Sequence, residues 1–365
     1  MSDLYIGLMS GTSLDGADGV LVDFSGSKLR VVASSTAAFP VDFRAELLAL
    51  NSPSHNELHR AALAANQLTV VYAEVVASLL RDSGETAKHI QAIGAHGQTV
   101  RHRPELGYTT QLNNPSLLAE RTGIDVVADF RSRDVAAGGQ GAPLVPAFHH
   151  SFFGKPGQAT LVLNIGGISN LSVLPVTGQV LGFDCGPGNA LMDAWCLQHT
   201  GKRFDEGGQW AASGQVIPEL LASLLDEGYF ALPPPKSTGR DLFSTAWLTE
   251  KLKPFSSYVP EDVQNTLTEL TARACIACAT SYLNNSKELV VCGGGAFNNY
   301  LMQRLQAGLP FLNVVSSSTR GLPALQVEAA AFAWLARQTT KRLPGNLPSV
   351  TGAVGQRMLG AIYPT

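Results

Sequence analysis

Charge is scarce in this sequence, and it is nowhere concentrated. Only 15% of the 365 residues are Asp, Glu, Lys or Arg, the formal net charge is −3, and no Lys/Arg block occurs. Nucleic acid is held by clustered cations, so it is not an expected partner. A small anionic ligand stays open, because backbone amides and a few arginines bind one without a basic surface. Long uncharged apolar runs are also missing. The best one, residues 61–80, is interrupted by Asn66, Gln67 and Glu74, and reads as an amphipathic helix on a core. No membrane partner is expected. Asp3 stands where a signal peptide would be basic, and the apolar run after it is short, which predicts a cytoplasmic protein.

Cysteine is sparse and odd in number: Cys185, Cys196, Cys275, Cys278 and Cys292. That count predicts reduced thiols, not a disulfide framework. Cys275 and Cys278 form a CxxC with no second copy, inside the small-residue stretch TARACIACATSYL, and read as buried thiols. His149 and His150 have no acidic or thiol neighbours, so no metal site is expected there.

What the chain has is apolar mass and glycine: 45% hydrophobic residues and 36 glycines. This suffices for substantial cores in one large domain or two. LYIGLMSGTSLDGADGVLVDF (4–24) and ATLVLNIGGISNLSVLPV (159–176) share one pattern. Each is a β-rich run, a Gly/Ser/Thr/Asn turn and a second β-rich run, the signature of a hairpin with a glycine-rich tip. Lying about half a chain apart, they suggest a duplicated α/β domain. Helices are predicted near 43–51, 55–81, 216–226, 245–252, 263–284 and 325–338, with a further helix running to about 306. Strands are predicted at 89–95, 124–128, 180–184 and 288–292. PPPKSTGRD (233–241) reads as a loop, and the tail from Pro344 is weakly patterned.

The tip Ser10–Gly16 offers successive amides and the hydroxyls of Ser10, Thr12 and Ser13, a nest suited to phosphate oxygens. It lacks the GK[ST] ending of a P-loop. Asp15 could hold Mg²⁺ through water, or simply form the turn. The tip at 164–171 repeats the device. GGGAFNN (293–299) follows an apolar strand and opens a helix, an arrangement that admits a flat ligand and favours negative charge. Asp184, before Gly-Pro-Gly, is predicted at a strand end, as a general base or as a capping residue. Asn189 and Asp193 read as cap and helix-face residues. HGQT (96–99) and the DFRSRD run with Arg131 and Arg133 follow strand ends, where open α/β sheets bind ligands. Glu328 interrupts the apolar helix LQVEAAAFAWLA, which favours a functional role.

Two phosphate-type hairpins and a later glycine loop resemble the actin/hexokinase/Hsp70 superfamily. The ordered strings MSGTSLDG, GAHGQT, FR..D..AGGQGAPL, NIGGISN, DCGPGN and CGGGAFNN span residues 9–299, and more narrowly resemble the anhydro-N-acetylmuramic acid kinase family. The resemblance implies two duplicated actin-like (ribonuclease H-like) α/β domains around a deep ATP/sugar cleft. The first would be 1–128 with about 326–365, the second 129–325. It implies an ATP- and Mg²⁺-dependent kinase that opens 1,6-anhydro-N-acetylmuramic acid with water and phosphorylates its 6-hydroxyl, in cell-wall recycling. The small amino sugar would be the partner, and a homodimer is allowed. It assigns Ser10, Gly11, Thr12, Ser13, Leu14, Asp15 and Gly16, with Ala17 and Asp18, to the nucleotide phosphates. Gly166, Gly167, Gly293, Gly294 and Gly295 would make the other nucleotide contacts. His96, Gln98, Thr99, Arg131 and Glu328 would contact the sugar, and Asp184 would be the base. In hexokinase-like relatives the base belongs to the first domain, whereas Asp184 follows the second hairpin. A plain hexose kinase is the nearer rival reading. A nucleotide-switched binding protein would need a peptide-binding module after residue 338, and no such module is expected.

Overall fold

The computed structural model describes residues 3–11, 14–239, 242–255, 257–283 and 286–365. They form two compact units, residues 1–152 with 326–365 and residues 153–325. Residues 129–152, expected with the second half, pack in the first unit instead. The reason is a buried carboxylate. Asp134 accepts from Asn346 Nδ2 at 2.6 Å, Thr351 Oγ1 at 2.8 Å and the Gly141 amide at 2.8 Å, tying this segment to the C-terminal tail.

The first unit contains β1 (Leu4–Met9), β2 (Gly16–Asp23), β3 (Arg30–Ala38), β4 (Ile90–Ala95), the hairpin of β5 (Gln98–Arg103) and β6 (Tyr108–Leu112), and β7 (Val126–Ala128). Its main sheet runs β7-β4-β1-β2-β3, with the short strand Ala361–Tyr363 antiparallel on the outer edge of β7. β1, β2 and β3 are antiparallel neighbours, whereas β4 and β7 run parallel to β1. The tail that looked weakly patterned therefore closes the sheet.

The second unit repeats this order. Its strands β8 (Ala159–Ile165), β9 (Ile168–Leu174), β10 (Leu181–Pro187), β11 (Ser286–Cys292) and β12 (Asn313–Ser316) are arranged β10-β9-β8-β11-β12. Again three antiparallel strands precede two parallel ones. Both expected glycine-tipped hairpins are present, as β1–β2 and β8–β9.

Local chemistry sets the helix boundaries. Helix Pro115–Thr122 begins with Asn114 accepting from the Leu117 amide at 3.1 Å and ends on Gly123 at φ 65°. Ser244 and Asn298 cap helices Thr245–Leu252 and Asn299–Gly308 in the same way. Helix Glu57–Ser83 is long and apolar enough to cross a membrane by composition alone. It buries Leu68, Tyr72, Val75 and Leu79 in the first core and exposes Asn66, Gln67 and Glu74, as its pattern predicts. The second core gathers Leu161, Leu163, Leu267, Leu270, Leu289 and Val291.

Helix Val327–Thr340 lies almost in contact with the first sheet. Gly7 and Gly94 are register partners on β1 and β4. A Cβ on Gly7 would stand 1.8 Å from the Ala329 carbonyl oxygen, and one on Gly94 would stand 2.0 Å from that of Phe332. Glycine is required here by space alone, since the helix backbone cannot retreat from a methyl group. Gly94→Ala should lower the stability of the first unit by about 3 kcal/mol. This is measurable as an earlier unfolding transition that nucleotide-free calorimetry resolves from that of the second unit.

Candidate active site

In the first unit the hairpin tip, the end of β4, the start of β5 and helix Val327–Thr340 bring most of the predicted residues together. At the tip, the Leu14 amide donates to the Gly11 carbonyl at 3.2 Å, and Leu14 takes φ 58° to close the turn. Thr12 and Ser13 lie outside the described residues. Gly16 and Ala17 open β2 opposite Ala38 and Ala37. Ser10 is buried, and its hydroxyl donates to Gln98 Oε1, itself buried. Thr99 is half-buried, and its hydroxyl accepts from Gln111 Nε2 at 3.2 Å.

His96 extends β4, its amide donating to the Leu8 carbonyl at 3.0 Å. Arg131 approaches His96 Nε2 with Nε at 3.2 Å and Nη2 at 3.0 Å, and donates through Nη1 to the Gly141 carbonyl at 2.8 Å. A guanidinium only donates, so Nε2 must be the bare, accepting nitrogen of a neutral imidazole. The ring packs 4.7 Å from the Phe332 centroid, on the helix that carries Glu328. Burial first, and the Arg131 charge second, push the His96 pKa down to about 3. Burial lowers that of Arg131 to about 10, opposed by the carboxylates of Glu328 and Asp134, so it stays cationic at neutral pH. Arg133, from the same run, is exposed in an open cavity of about 520 Å³ lined also by Ala136, Val354 and Arg357.

The second unit assembles a different cluster. The Gly188 and Ala190 amides donate to the Gly167 carbonyl at 2.9 and 3.3 Å, and the Asn189 amide donates to that of Gly166 at 2.7 Å. Asn189 Nδ2 reaches the Ile165 carbonyl at 3.1 Å, so Asn189 braces the tip as well as preceding helix Ala190–Thr200. The loop at 293–295 packs on the same tip. A Cβ on Gly293 would meet Asn164 Oδ1 at 2.5 Å, and one on Gly295 would meet Ile165 Cγ2 at 2.5 Å. Gly293 also takes φ 78°, and a short 3₁₀ turn, Gly294–Phe297, separates it from helix Asn299–Gly308. The glycines do not open that helix directly, as expected from sequence. They seat the loop against the hairpin tip.

Asp184 lies inside β10, not at its end. The strand continues to Pro187 through a register shift between Asp184 and Gly186. Asp184 Oδ2 accepts from the Thr238 amide at 2.9 Å and the Ser237 hydroxyl at 3.1 Å. Burial raises its pKa, and these two donors pull it back. Sequence reasoning took 233–241 only as a loop and missed its grip on Asp184. Arg240 and Asp241, at its end, lie outside the described residues. Cys275 is buried and Cys278 half-buried, and both face the buried Cys185. No group of three His, Cys, Asp or Glu suited to a metal occurs among the described residues.

Each cluster is built around a glycine-tipped turn. A Cβ on Gly166 would meet nothing closer than 3.7 Å, which leaves space beside the second tip, while the Gly166 amide itself donates to the Ile168 carbonyl at 3.2 Å. Asp15 and Asp18 flank the first tip. Asp15 pairs with Arg44 at 3.4 Å across an exposed gap, and surrounding protein atoms first and Asp15 second raise the pKa of Asp18. Two carboxylates that repel each other beside a phosphate-type turn fit a divalent cation held partly through water.

Two units of ribonuclease H-like strand order, each with a glycine-tipped hairpin, define the fold class of actin, hexokinase and Hsp70. The family model described as anhydro-N-acetylmuramic acid kinase matches residues 3–365. The chain is 64% identical to an anhydro-N-acetylmuramic acid kinase of Albidiferax ferrireducens, with all of both chains covered. It is 63% identical to one of Variovorax paradoxus and 55% identical to one of Nitrosomonas europaea, with 99% of each chain covered in both comparisons. The chain belongs to the anhydro-N-acetylmuramic acid kinase family.

The imidazole of His96 should stay neutral down to about pH 5, since its pKa is displaced to about 3. Two-dimensional NMR of the histidine rings, with His96 identified by His96→Gln, should show no titration of this ring between pH 5 and 9. Arg131→Ala removes a neighbouring positive charge and should move the titration upwards.

Proposed function

We propose that this chain uses ATP and water to open 1,6-anhydro-N-acetylmuramic acid and phosphorylate its 6-hydroxyl. The products are N-acetylmuramic acid 6-phosphate and ADP, within cytoplasmic cell-wall recycling. The observation that carries the reading is the state of Asp184. In a chain of this family, a carboxylate stands roughly 10 Å along β10 from a phosphate-type hairpin tip, with only one oxygen engaged among the described residues.

Asp184 takes a proton from water, which attacks the anomeric carbon on the face opposite the bridging oxygen. Oδ2 is occupied by two donors, which leaves Oδ1 as the accepting atom. Burial keeps the base from being over-stabilised as an anion, and a positioned base contributes about 10²–10⁴-fold. The departing 6-oxygen takes the γ-phosphoryl group of the nucleotide substrate, so no protein acid has to protonate it. Ser10 to Asp18, Gly166, Gly167 and Gly293 to Gly295 orient the nucleotide. Mg²⁺, held near Asp15 and Asp18, would neutralise phosphate charge. His96, Gln98, Thr99, Arg131 and Glu328 hold the sugar, with the Arg131 guanidinium suited to the lactyl carboxylate. His96, fixed as a neutral acceptor, keeps that guanidinium in place.

Turnover in water labelled with heavy oxygen tests this reading. Label should enter the new anomeric hydroxyl, on the α-anomer first, and none should enter phosphate. Asp184→Asn should cost about 10²–10⁴-fold in kcat while nucleotide binding survives. Label confined to inorganic phosphate would identify an ATPase instead, and an unlabelled sugar phosphate would identify a plain hexose kinase.

A further inference from the structure

Asp184 is gripped by one segment, residues 229–238, at nearly every polar atom it has. Its amide donates to the Lys236 carbonyl at 3.1 Å, and its carbonyl accepts from the Tyr229 hydroxyl at 2.9 Å. Oδ2 accepts from the Thr238 amide at 2.9 Å and from the Ser237 hydroxyl at 3.1 Å. Among the described residues only Oδ1 lacks a donor. The segment is itself anchored, since Lys236 Nζ donates to the Tyr229 and Phe230 carbonyls at 3.4 and 3.3 Å and sits 4.7 Å from the Tyr229 ring centroid. Three of the four contacts to Asp184 use backbone atoms or a residue outside the loop. Among the described residues, Ser237 contributes the one loop side chain that touches the carboxylate.

We propose that Ser237 is a positioning residue for the base, its hydroxyl fixing Oδ2 so that Oδ1 is presented to the attacking water. The inference rests on the reading of Asp184 as that base. Without the hydroxyl, a single amide donor holds Oδ2 and the carboxylate rotates more freely about its terminal bond. A hydrogen bond to a charged acceptor also favours the ionised form, so its loss raises the pKa of the base. Among the described residues, the ionisable groups around this carboxylate are Tyr229 of the turn Gly228–Ala231, Lys236 of the loop, and the thiols of Cys185 and of Cys278 on helix Pro260–Thr280. Among the described residues none of these is another carboxylate, and a shift of the acid limb in Ser237→Ala that Ser237→Thr does not show assigns that limb to Asp184.

The test compares kcat/KM for the anhydro sugar against pH in the full-length wild type, Ser237→Ala, Ser237→Thr and Asp184→Asn, with ATP saturating. A base works only when deprotonated, so activity falls as pH drops through its pKa. In Ser237→Ala that fall should begin at higher pH, with kcat/KM on the acid side down roughly three- to tenfold, less change on the plateau and KM for ATP unaltered. Ser237→Thr, which keeps a hydroxyl, should restore the wild-type profile. An Ser237→Ala profile that is unmoved, or lowered equally at every pH, overturns the proposal, because a purely structural loss behaves that way. If Asp184→Asn is inactive while the Ser237→Ala limb is unmoved, the base stands and Ser237 falls. If Asp184→Asn keeps wild-type activity, the reading of the base fails first and the inference falls with it.

Discussion

The first unit depends on the approach of helix Val327–Thr340 to the paired glycines Gly7 and Gly94, which leaves no room for a methyl group on either strand. Because the helix is seated directly on the sheet backbone, its first turn lies beside the strand ends. Phe332 reaches the His96 ring, and the Glu328 charge reaches Arg131. Any side chain at position 7 or 94 would lift the helix and separate these groups. Two glycines on neighbouring parallel strands thus set the spacing of a polar cluster that contains neither of them. Well-packed interiors transmit displacements of this kind instead of absorbing them.

The second unit solves a related problem at its hairpin tip. Its hairpin tip is held by the turn at 188–190 from one side and the loop at 293–295 from another. Here too glycine permits backbone to touch backbone: a Cβ on Gly188 would stand 2.3 Å from the Gly166 carbonyl. A turn braced in this way keeps its amides aimed at one place, which is what electrostatic stabilisation of phosphate requires. The two units share a strand order but not these braces, so the duplication extends to the sheets and not to the sites built on them.

Features set by local chain chemistry were legible in the sequence. Glycine clusters between β-rich runs marked both hairpins, and a lone Glu328 in an apolar helix marked a residue that interacts with Arg131. Features set by distant partners were not. Asp184 seemed to end a strand because Gly-Pro-Gly reads as a turn, yet a register shift lets β10 continue to Pro187. Its clamp comes from Ser237, 53 positions away. Asp134 closes the polar run DFRSRD, and its burial is explained only by partners 212 and 217 positions later. That same contact carries residues 129–152 into the first unit, whereas the boundary implied by the resemblance lay between residues 128 and 129.

The discontinuity of the first unit has a consequence for synthesis on the ribosome. Its sheet lacks the helix Val327–Thr340 and the edge strand Ala361–Tyr363 until the whole of residues 153–325 has been made. At about 5–20 residues per second, the strands β1 and β4 wait for roughly ten to forty seconds with the apolar face meant for that helix still bare. The second unit is continuous and can complete its core in that interval. The nascent chain therefore carries a finished C-terminal half and an unfinished N-terminal half. The half that begins first is the half that chaperones have to shield.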